Sequence, residues 1–130
     1  MVVGLGIDVT SVARVERALE RFGQRIWLRI LTPEEQKELA GRKADRAVAL
    51  AGRFAAKEAL SKALGGPRDV WWQDVEIRRG PLGAPSLHLL GAALAHAERL
   101  GVVKSLVSIT HDAGIAAAVV ILEGEGRSGR

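Results

Sequence analysis

Arg53-Phe54-Ala55-Ala56-Lys57-Glu58-Ala59-Leu60-Ser61-Lys62-Ala63-Leu64-Gly65 decides how this chain is read. The stretch is one helix closed by glycine. Its apolar residues are Ala, Leu and Phe, yet Glu58 sits one turn after Phe54 on the same face, because residues four apart on a helix are neighbours. Charged side chains are seldom buried unless they are paired or hold a metal. An acid on a face that should enter the core is a local inconsistency of the kind that marks a site.

Outward from this helix, Asp45 is placed to cap its start and Gly65-Gly66-Pro67 to end it. Upstream, Thr32-Pro33-Glu34-Glu35 has the composition of a capping box with proline in the first turn, opening a short helix that ends near Gly41. Ser11 to Phe22 is amphipathic: Val12, Val15, Leu19 and Phe22 form an apolar stripe, and Arg14, Arg17 and Arg21 a basic one, with Arg25 beyond. Val2 to Val9 alternates with the period of a strand. Val3, Leu5, Ile7 and Val9 share one face; Gly4, Gly6 and Asp8 share the other, which is bare enough for a close neighbour.

Downstream, Val70 to Arg79 and Ser86 to Leu90 flank the turn Gly80-Pro81-Leu82-Gly83 as a hairpin. Ala92 to Leu100 is a helix stopped by Gly101. Val103 to Thr110 and Ile115 to Leu122 are strands around the turn His111-Asp112-Ala113-Gly114. The order is βαααββαββ, which predicts an α+β fold with an antiparallel-rich sheet and a long central helix. One domain is expected over residues 1–122, with a flexible C-terminal tail at 123–130.

Composition narrows the function classes. The chain has 130 residues, 48% hydrophobic and 26% charged, with no Cys. Disulfides and thiolate metal sites are therefore excluded. The start meets Asp8 too early for a signal peptide, and the longest apolar run, Ile115 to Leu122, is strand-length, so a cytoplasmic protein without a membrane span is expected. The net charge of +4 favours an anionic partner. Arg supplies 14 of the 19 basic residues, and its fork suits carboxylates and phosphates.

Several residues could carry chemistry. Asp8 and Glu58 are oxygen ligands of the kind Mg²⁺ takes, one or two carboxylates completed by water and substrate phosphates. The structural alternatives are a strand-end turn for Asp8 and an i,i+4 ion pair with Lys62 for Glu58. Arg53, Lys57 and Lys62 could neutralise charge in phosphoryl transfer; taken one at a time, each reads more simply as part of a solvated helix face. The arginine stripe could dock an acidic helix or be solvated, partly neutralised by Glu16 and Glu20. His111 could contact phosphate and Asp112 could accept a proton, while the turn alone explains Asp112.

Together these pieces resemble the holo-[acyl-carrier-protein] synthases, the small bacterial class of 4′-phosphopantetheinyl transferases. Gly4-Leu5-Gly6-Ile7-Asp8-Val9 resembles the N-terminal Gly-Ile-Asp motif, and Arg53 to Ala63 matches the second signature almost throughout. Trp72-Gln73-Asp74-Val75-Glu76-Ile77, Gly83-Ala84-Pro85 and Ser108-Ile109-Thr110-His111-Asp112 fall in the order of the later motifs, so the likeness spans about residues 2 to 122. The resemblance implies transfer of the phosphopantetheine arm of coenzyme A to a serine of apo-acyl carrier protein in fatty acid biosynthesis, with release of adenosine 3′,5′-bisphosphate. It implies Asp8 and Glu58 as Mg²⁺ ligands and Lys62 as a phosphate contact that helps the leaving group. Arg53, Lys57, Ser61, Lys62, Gly83, Pro85 and His111 would line the coenzyme A pocket, and Arg14 and Arg21 would meet the carrier protein. The serine proton would go to a metal-bound or metal-oriented water, Glu58 or Asp112. Homotrimers with sites at subunit boundaries are implied as well. The chain departs from the family after Gly65, where Gly66-Pro67-Arg68-Asp69 replaces a longer Gly-Thr-Gly loop and Arg68 is the candidate substitute. The competing assignments are a basic module that binds nucleic acid through the arginine stripe, although stacking aromatics and recognised motifs are few, and a coenzyme A-binding scaffold without activity.

Overall fold

The computed structural model describes residues 1–125; residues 126–130 of the expected tail lie outside the described residues. Along the chain run β1 (Val2–Ser11), α1 (Val12–Phe22), α2 (Gln24–Ile30), α3 (Pro33–Leu39), α4 (Arg46–Ala63), a 3-10 turn (Trp72–Asp74), β2 (Val75–Arg79), β3 (Pro85–Leu89), α5 (Gly91–Arg99), β4 (Val102–Asp112) and β5 (Ile115–Gly124). The α+β fold and the expected order hold, with one addition: the short helix α2. Its seven residues follow Gly23 too closely for a separate helical period to show.

The strands form an antiparallel sheet in the order β1-β5-β4 and a separate β2-β3 hairpin. β1 meets β5 with Gly6 opposite Val120 and Asp8 opposite Ala118. β4 meets β5 with Val107 opposite Val120. β5 continues two residues past the expected domain end, where Glu123 pairs with both Val2 and Lys104. The β4–β5 turn is also tighter than expected. His111 and Asp112 are strand residues, and only Ala113 and Gly114 turn, with φ of 50° and 79°. Two consecutive positive φ values suit a two-residue hairpin whose twist matches its strands.

Why α4 lies across the sheet follows from small residues on both sides. A Cβ on Gly6 would stand 1.9 Å from the Ala59 carbonyl oxygen, and one on Gly4 2.2 Å from that of Ala63. Only glycine admits this approach. Ala55, Ala56, Ala59 and Leu60 are wholly buried in a core shared with Val75, Ile77, Val120 and Leu122. A second core joins Trp27, Ile30, Leu31 and Leu39 to Leu50 of α4, so α4 is the axis of both. It ends in a Schellman pair, Gly65 N–H to the Lys62 carbonyl (3.0 Å) and Gly66 N–H to that of Ser61 (2.8 Å). At its start Asp45 makes no side-chain cap; the carboxylate pairs with Arg42 instead. α3 carries the expected capping box between Thr32 and Glu35. Among the described residues no helix is long and apolar enough to cross a membrane.

The other face of β1 is uncovered. Leu5, Ile7 and Val9 are 58–60% exposed. Beside them on the same sheet face lie Ile121 opposite Leu5, Val119 opposite Ile7, and Leu106 on β4.

Candidate active site

The bare face of β1 that lets α4 approach also delivers Asp8 to the helix. The Asp8 carboxylate is held from two sides. Lys62 Nζ donates to Oδ1 at 3.0 Å and to the Ile7 carbonyl at 3.1 Å. The Thr10 hydroxyl donates to Oδ2 at 3.0 Å. Lys62 therefore pairs with Asp8 across the element boundary, and not with Glu58 one turn back on its own helix.

Glu58 is half-buried, and it faces the same cleft as Asp8. Its pKa is raised, first by burial and then by the negative charge of Asp8; Lys62 and the Trp72 indole pull the other way. Burial and a neighbouring like charge both penalise the carboxylate form. The cleft, of about 410 Å³, has Asp8, Glu58 and Arg14 among its charged residues and Val15, Ile26, Ile30 and Phe54 among its apolar ones. Phe54 and Glu58 thus share the face expected from their spacing, and that face opens on a cleft between α1, α2 and α4.

Two acids facing one cleft, their repulsion only partly offset by Lys62, fit a divalent cation. Among the described residues no set of three or more His, Cys, Asp or Glu is placed to hold a metal. A donor set of two carboxylates suits Mg²⁺, which keeps several waters and takes the rest of its oxygens from substrate phosphates. It does not suit a structural Zn²⁺ site.

Other residues expected at the site fall in different places. Lys57 does not line the cleft and is not on a solvated face. Its side chain is 1% exposed, with Nζ 2.5 Å from Glu35 Oε1 and 2.6 Å from the Ile30 carbonyl. Burial lowers its pKa against the raising effect of Glu35. Arg53 is also buried, at 2% exposure, and donates to Glu38 Oε1 at 3.2 Å; burial and the nearby Arg79 lower its pKa. Both were candidates for a solvated face because their partners lie 15 and 22 residues away, beyond the reach of helical spacing.

Ser61 is half-buried and Lys62 exposed, on the last turn of α4. Arg14 opens α1 at the cleft rim; the α1 N-cap, Ser11 Oγ, accepts from its backbone N–H at 3.2 Å. Arg21 is farther along the same exposed helix, with its guanidinium 5.2 Å from the Phe22 ring centre. Gly83 lies in the β2–β3 turn with φ of 84°, its carbonyl accepting from Arg79 at 2.8 Å, and Pro85 opens β3. His111 and Asp112 are exposed at the end of β4, beside Val12 and Val48 and not in the Asp8–Glu58 cleft. The Asp112 carboxylate accepts from the Ala113 N–H at 2.9 Å. Arg68 is exposed in the loop after α4.

Sequence reasoning missed two groups that shape the site. Thr10, which orients Asp8, is 9% exposed and was one step beyond the assigned strand; its place two residues after Asp8 on the same strand face was the available signal. Trp72 entered the sequence reading only as the first residue of the Trp72-to-Ile77 motif; its influence on the Glu58 carboxyl arises through the tertiary fold.

The chain is similar to known proteins over nearly its whole length. The family model of the 4′-phosphopantetheinyl transferase superfamily matches residues 4–120. The holo-[acyl-carrier-protein] synthase of Anaeromyxobacter sp. (strain K) is 49% identical over 97% of this chain and 99% of its own length. The crystal structure of holo-[acyl-carrier-protein] synthase from Neisseria meningitidis superposes with a TM-score of 0.85 at 34% identity, covering 95% of this chain and 99% of that one. The Helicobacter pylori enzyme of the same name, in complex with coenzyme A, superposes with a TM-score of 0.79 at 33% identity over 92% of this chain and 99% of that one. The chain belongs to the 4′-phosphopantetheinyl transferase superfamily, among its holo-[acyl-carrier-protein] synthases.

Proposed function

We propose that this enzyme transfers the 4′-phosphopantetheine group of coenzyme A to a serine of apo-acyl carrier protein in the cytoplasm, with Mg²⁺, releasing adenosine 3′,5′-bisphosphate. The observation that carries the reading is the cleft in which Asp8 and Glu58 face one another's charge with Lys62 clamped to Asp8. The coenzyme A held by the Helicobacter pylori relative supports the donor.

Transfer of a phosphoryl-type group is catalysed mainly by positioning and by charge stabilisation. The serine oxygen attacks the coenzyme A phosphorus that bears the pantetheine arm. A P–O bond to that phosphorus forms, and the one to the bisphosphate leaving group breaks. Asp8 and Glu58 would hold Mg²⁺, which supplies positive charge to the pyrophosphate oxygens. Lys62, exposed and next to Asp8, adds a cation for the leaving group. Glu58 holds protons more tightly than an ordinary carboxylate, which suits it to orient the water that takes the serine proton. Asp112 is the less suitable base, since the turn uses its carboxylate and it lies outside the cleft. Arg14 at the rim and Arg21 beyond it would meet an acidic helix of the carrier.

We also assign the uncovered apolar face of β1, β5 and β4 to two further copies of this chain. Leu5, Ile7 and Val9 in one row are more than a soluble monomer usually leaves open. A homotrimer would bring residues such as His111, Gly83 and Pro85 of one subunit toward the cleft of another, and would remove from Arg53 and Lys57 the need to reach coenzyme A.

The test is incubation with apo-carrier protein, coenzyme A and Mg²⁺, read by mass spectrometry of the carrier and chromatography of the released nucleotide. The expected result is one phosphopantetheine added per carrier and one adenosine 3′,5′-bisphosphate, both lost with chelator. A folded enzyme and a competent carrier giving no mass shift would sink the assignment.

A further inference from the structure

The cleft has two walls from different parts of the chain. One is β1 and α4, bearing Asp8 and Glu58. The other is the corner between α1 and α2, bearing Arg14, Ile26 and Ile30. α2 is seven residues long, too short to be stable unaided, and the last carbonyls of a helix have no partner within it. One of them, the Ile30 carbonyl, accepts from Lys57 Nζ at 2.6 Å. Lys57 immediately precedes Glu58, and the Ile30 side chain lines the facing wall.

That ammonium is itself fixed from behind. Glu35 Oε1 accepts from Lys57 and, at 2.8 Å, from the Thr32 N–H. Glu35 Oε2 accepts from the Ile77 N–H at 3.0 Å. The Thr32 hydroxyl donates to Glu76 Oε1 at 2.7 Å, and Arg78 donates to Glu76 Oε2 at 2.6 Å. One buried carboxylate thereby ties the start of α3 and the backbone of β2 to the lysine of α4. Buried ion pairs are poor devices for stability, since apolar replacements of similar volume often serve as well. What an apolar side chain cannot do here is hold the Ile30 carbonyl.

We propose that Lys57 is a positioning residue for the transfer: through the Ile30 carbonyl it sets the spacing between the α1–α2 wall, which receives the carrier protein, and the α4 wall, which carries Glu58. The inference rests on the proposed transferase reading and gives Lys57 a role other than coenzyme A contact.

The experiment compares the full chain with Lys57→Met and with the double variant Lys57→Met/Glu35→Gln. Melting temperature, coenzyme A affinity by calorimetry, and kcat and KM for apo-carrier protein are measured for each. Lys57→Met leaves Glu35 buried and uncompensated, so it melts lower; the double variant removes both charges and recovers most of that loss. The expected result is a double variant whose coenzyme A Kd is within two-fold of the parent while kcat/KM for the carrier is at least ten-fold lower. Transfer that returns together with melting temperature would overturn the proposal, as would a ten-fold weakening of coenzyme A binding. Should Lys57→Met alone fail to fold, the double variant decides on the same readouts: transfer within two-fold of the parent overturns the proposal and a ten-fold lower kcat/KM for the carrier with unchanged coenzyme A affinity supports it. A parent that transfers nothing refutes the function itself, whereas a parent that transfers alongside unaffected variants refutes only the role of Lys57.

Discussion

Gly6→Ala tests the contact on which both fold and site depend. The added Cβ would lie 1.9 Å from the Ala59 oxygen, 2.8 Å from the Ala63 nitrogen and 2.9 Å from the Ala59 carbonyl carbon. All three are backbone atoms, so no side chain can rotate away. Ordinary contact begins near 3.4 Å, so β1 and α4 must separate by about 1.5 Å along this line. Overpacking a filled core costs about 1–3 kcal/mol, and rigid backbone on both sides places Gly6→Ala at about 3 kcal/mol. Against a total stability of about 5–15 kcal/mol, that lowers the melting temperature by roughly 10 °C.

The same displacement reaches the chemistry. Asp8 is two residues along the same strand face, and a misplacement of about 1 Å can cost ~10²-fold in rate. Transfer measured well below the variant's melting temperature should therefore fall by ~10²-fold although the protein is folded. Gly41→Ala is the control, since no atom lies within 4 Å of its added Cβ and its φ is not positive; it should stay within about 0.5 kcal/mol of the parent. A Gly6→Ala protein melting within about 2 °C of the parent and turning over within two-fold would refute the close approach of strand and helix.

Glu58→Gln should separate stability from activity. The raised carboxyl means that the folded state holds this proton more tightly than the unfolded one. The cost of ionising it is absent below the unfolded carboxylate value and fully present above the raised folded one. At pH 7 the glutamine variant should therefore melt no lower than the parent, while Mg²⁺-dependent transfer falls ~10²–10³-fold; calorimetry showing a clear loss of stability would count against the assignment. By the same sign, Mg²⁺ binding by the parent should weaken as pH drops through that raised value, read by titration calorimetry across pH. Thr10→Val keeps the shape but deletes the hydroxyl on Asp8; bonds to charged groups contribute about 1.5–3 kcal/mol, and because Lys62 still holds the Asp8 carboxylate the loss falls near the lower bound, with Thr10→Ser restoring it in a thermal melt. Ile7→Asp charges a side chain that is 59% exposed in the single chain, so the fold should survive while sedimentation shows monomers and transfer is lost; an active monomer would refute the subunit-boundary site.

What the sequence made legible was local. The alternation of Gly4, Gly6 and Asp8 against Leu5, Ile7 and Val9 announces a strand with one bare face, and the structure fills that face with α4. Thr32, Pro33 and Glu35 announce a helix start with equal clarity. Both signals act over a few residues, where backbone geometry leaves few choices. The pairings were not legible in the same way. Lys62 is a natural i,i+4 partner for Glu58, yet it pairs with Asp8 because the strand brings a carboxylate nearer than the helix does.

Lys57 shows the limit most sharply. As a cation beside Glu58 it suggests a phosphate contact; as a charge on a helix it suggests solvent. Its actual partner, Glu35, is already engaged by local pattern as half of a capping box, and the second use of that carboxylate is invisible until α3 packs on α4. Glu35 accepts three hydrogen bonds, from one turn of helix, one strand and one lysine, only because all are buried together. A residue that satisfies one local rule completely therefore hides its long-range role, and in this chain the role so hidden is that of Glu35, which holds Lys57, the residue next to Glu58.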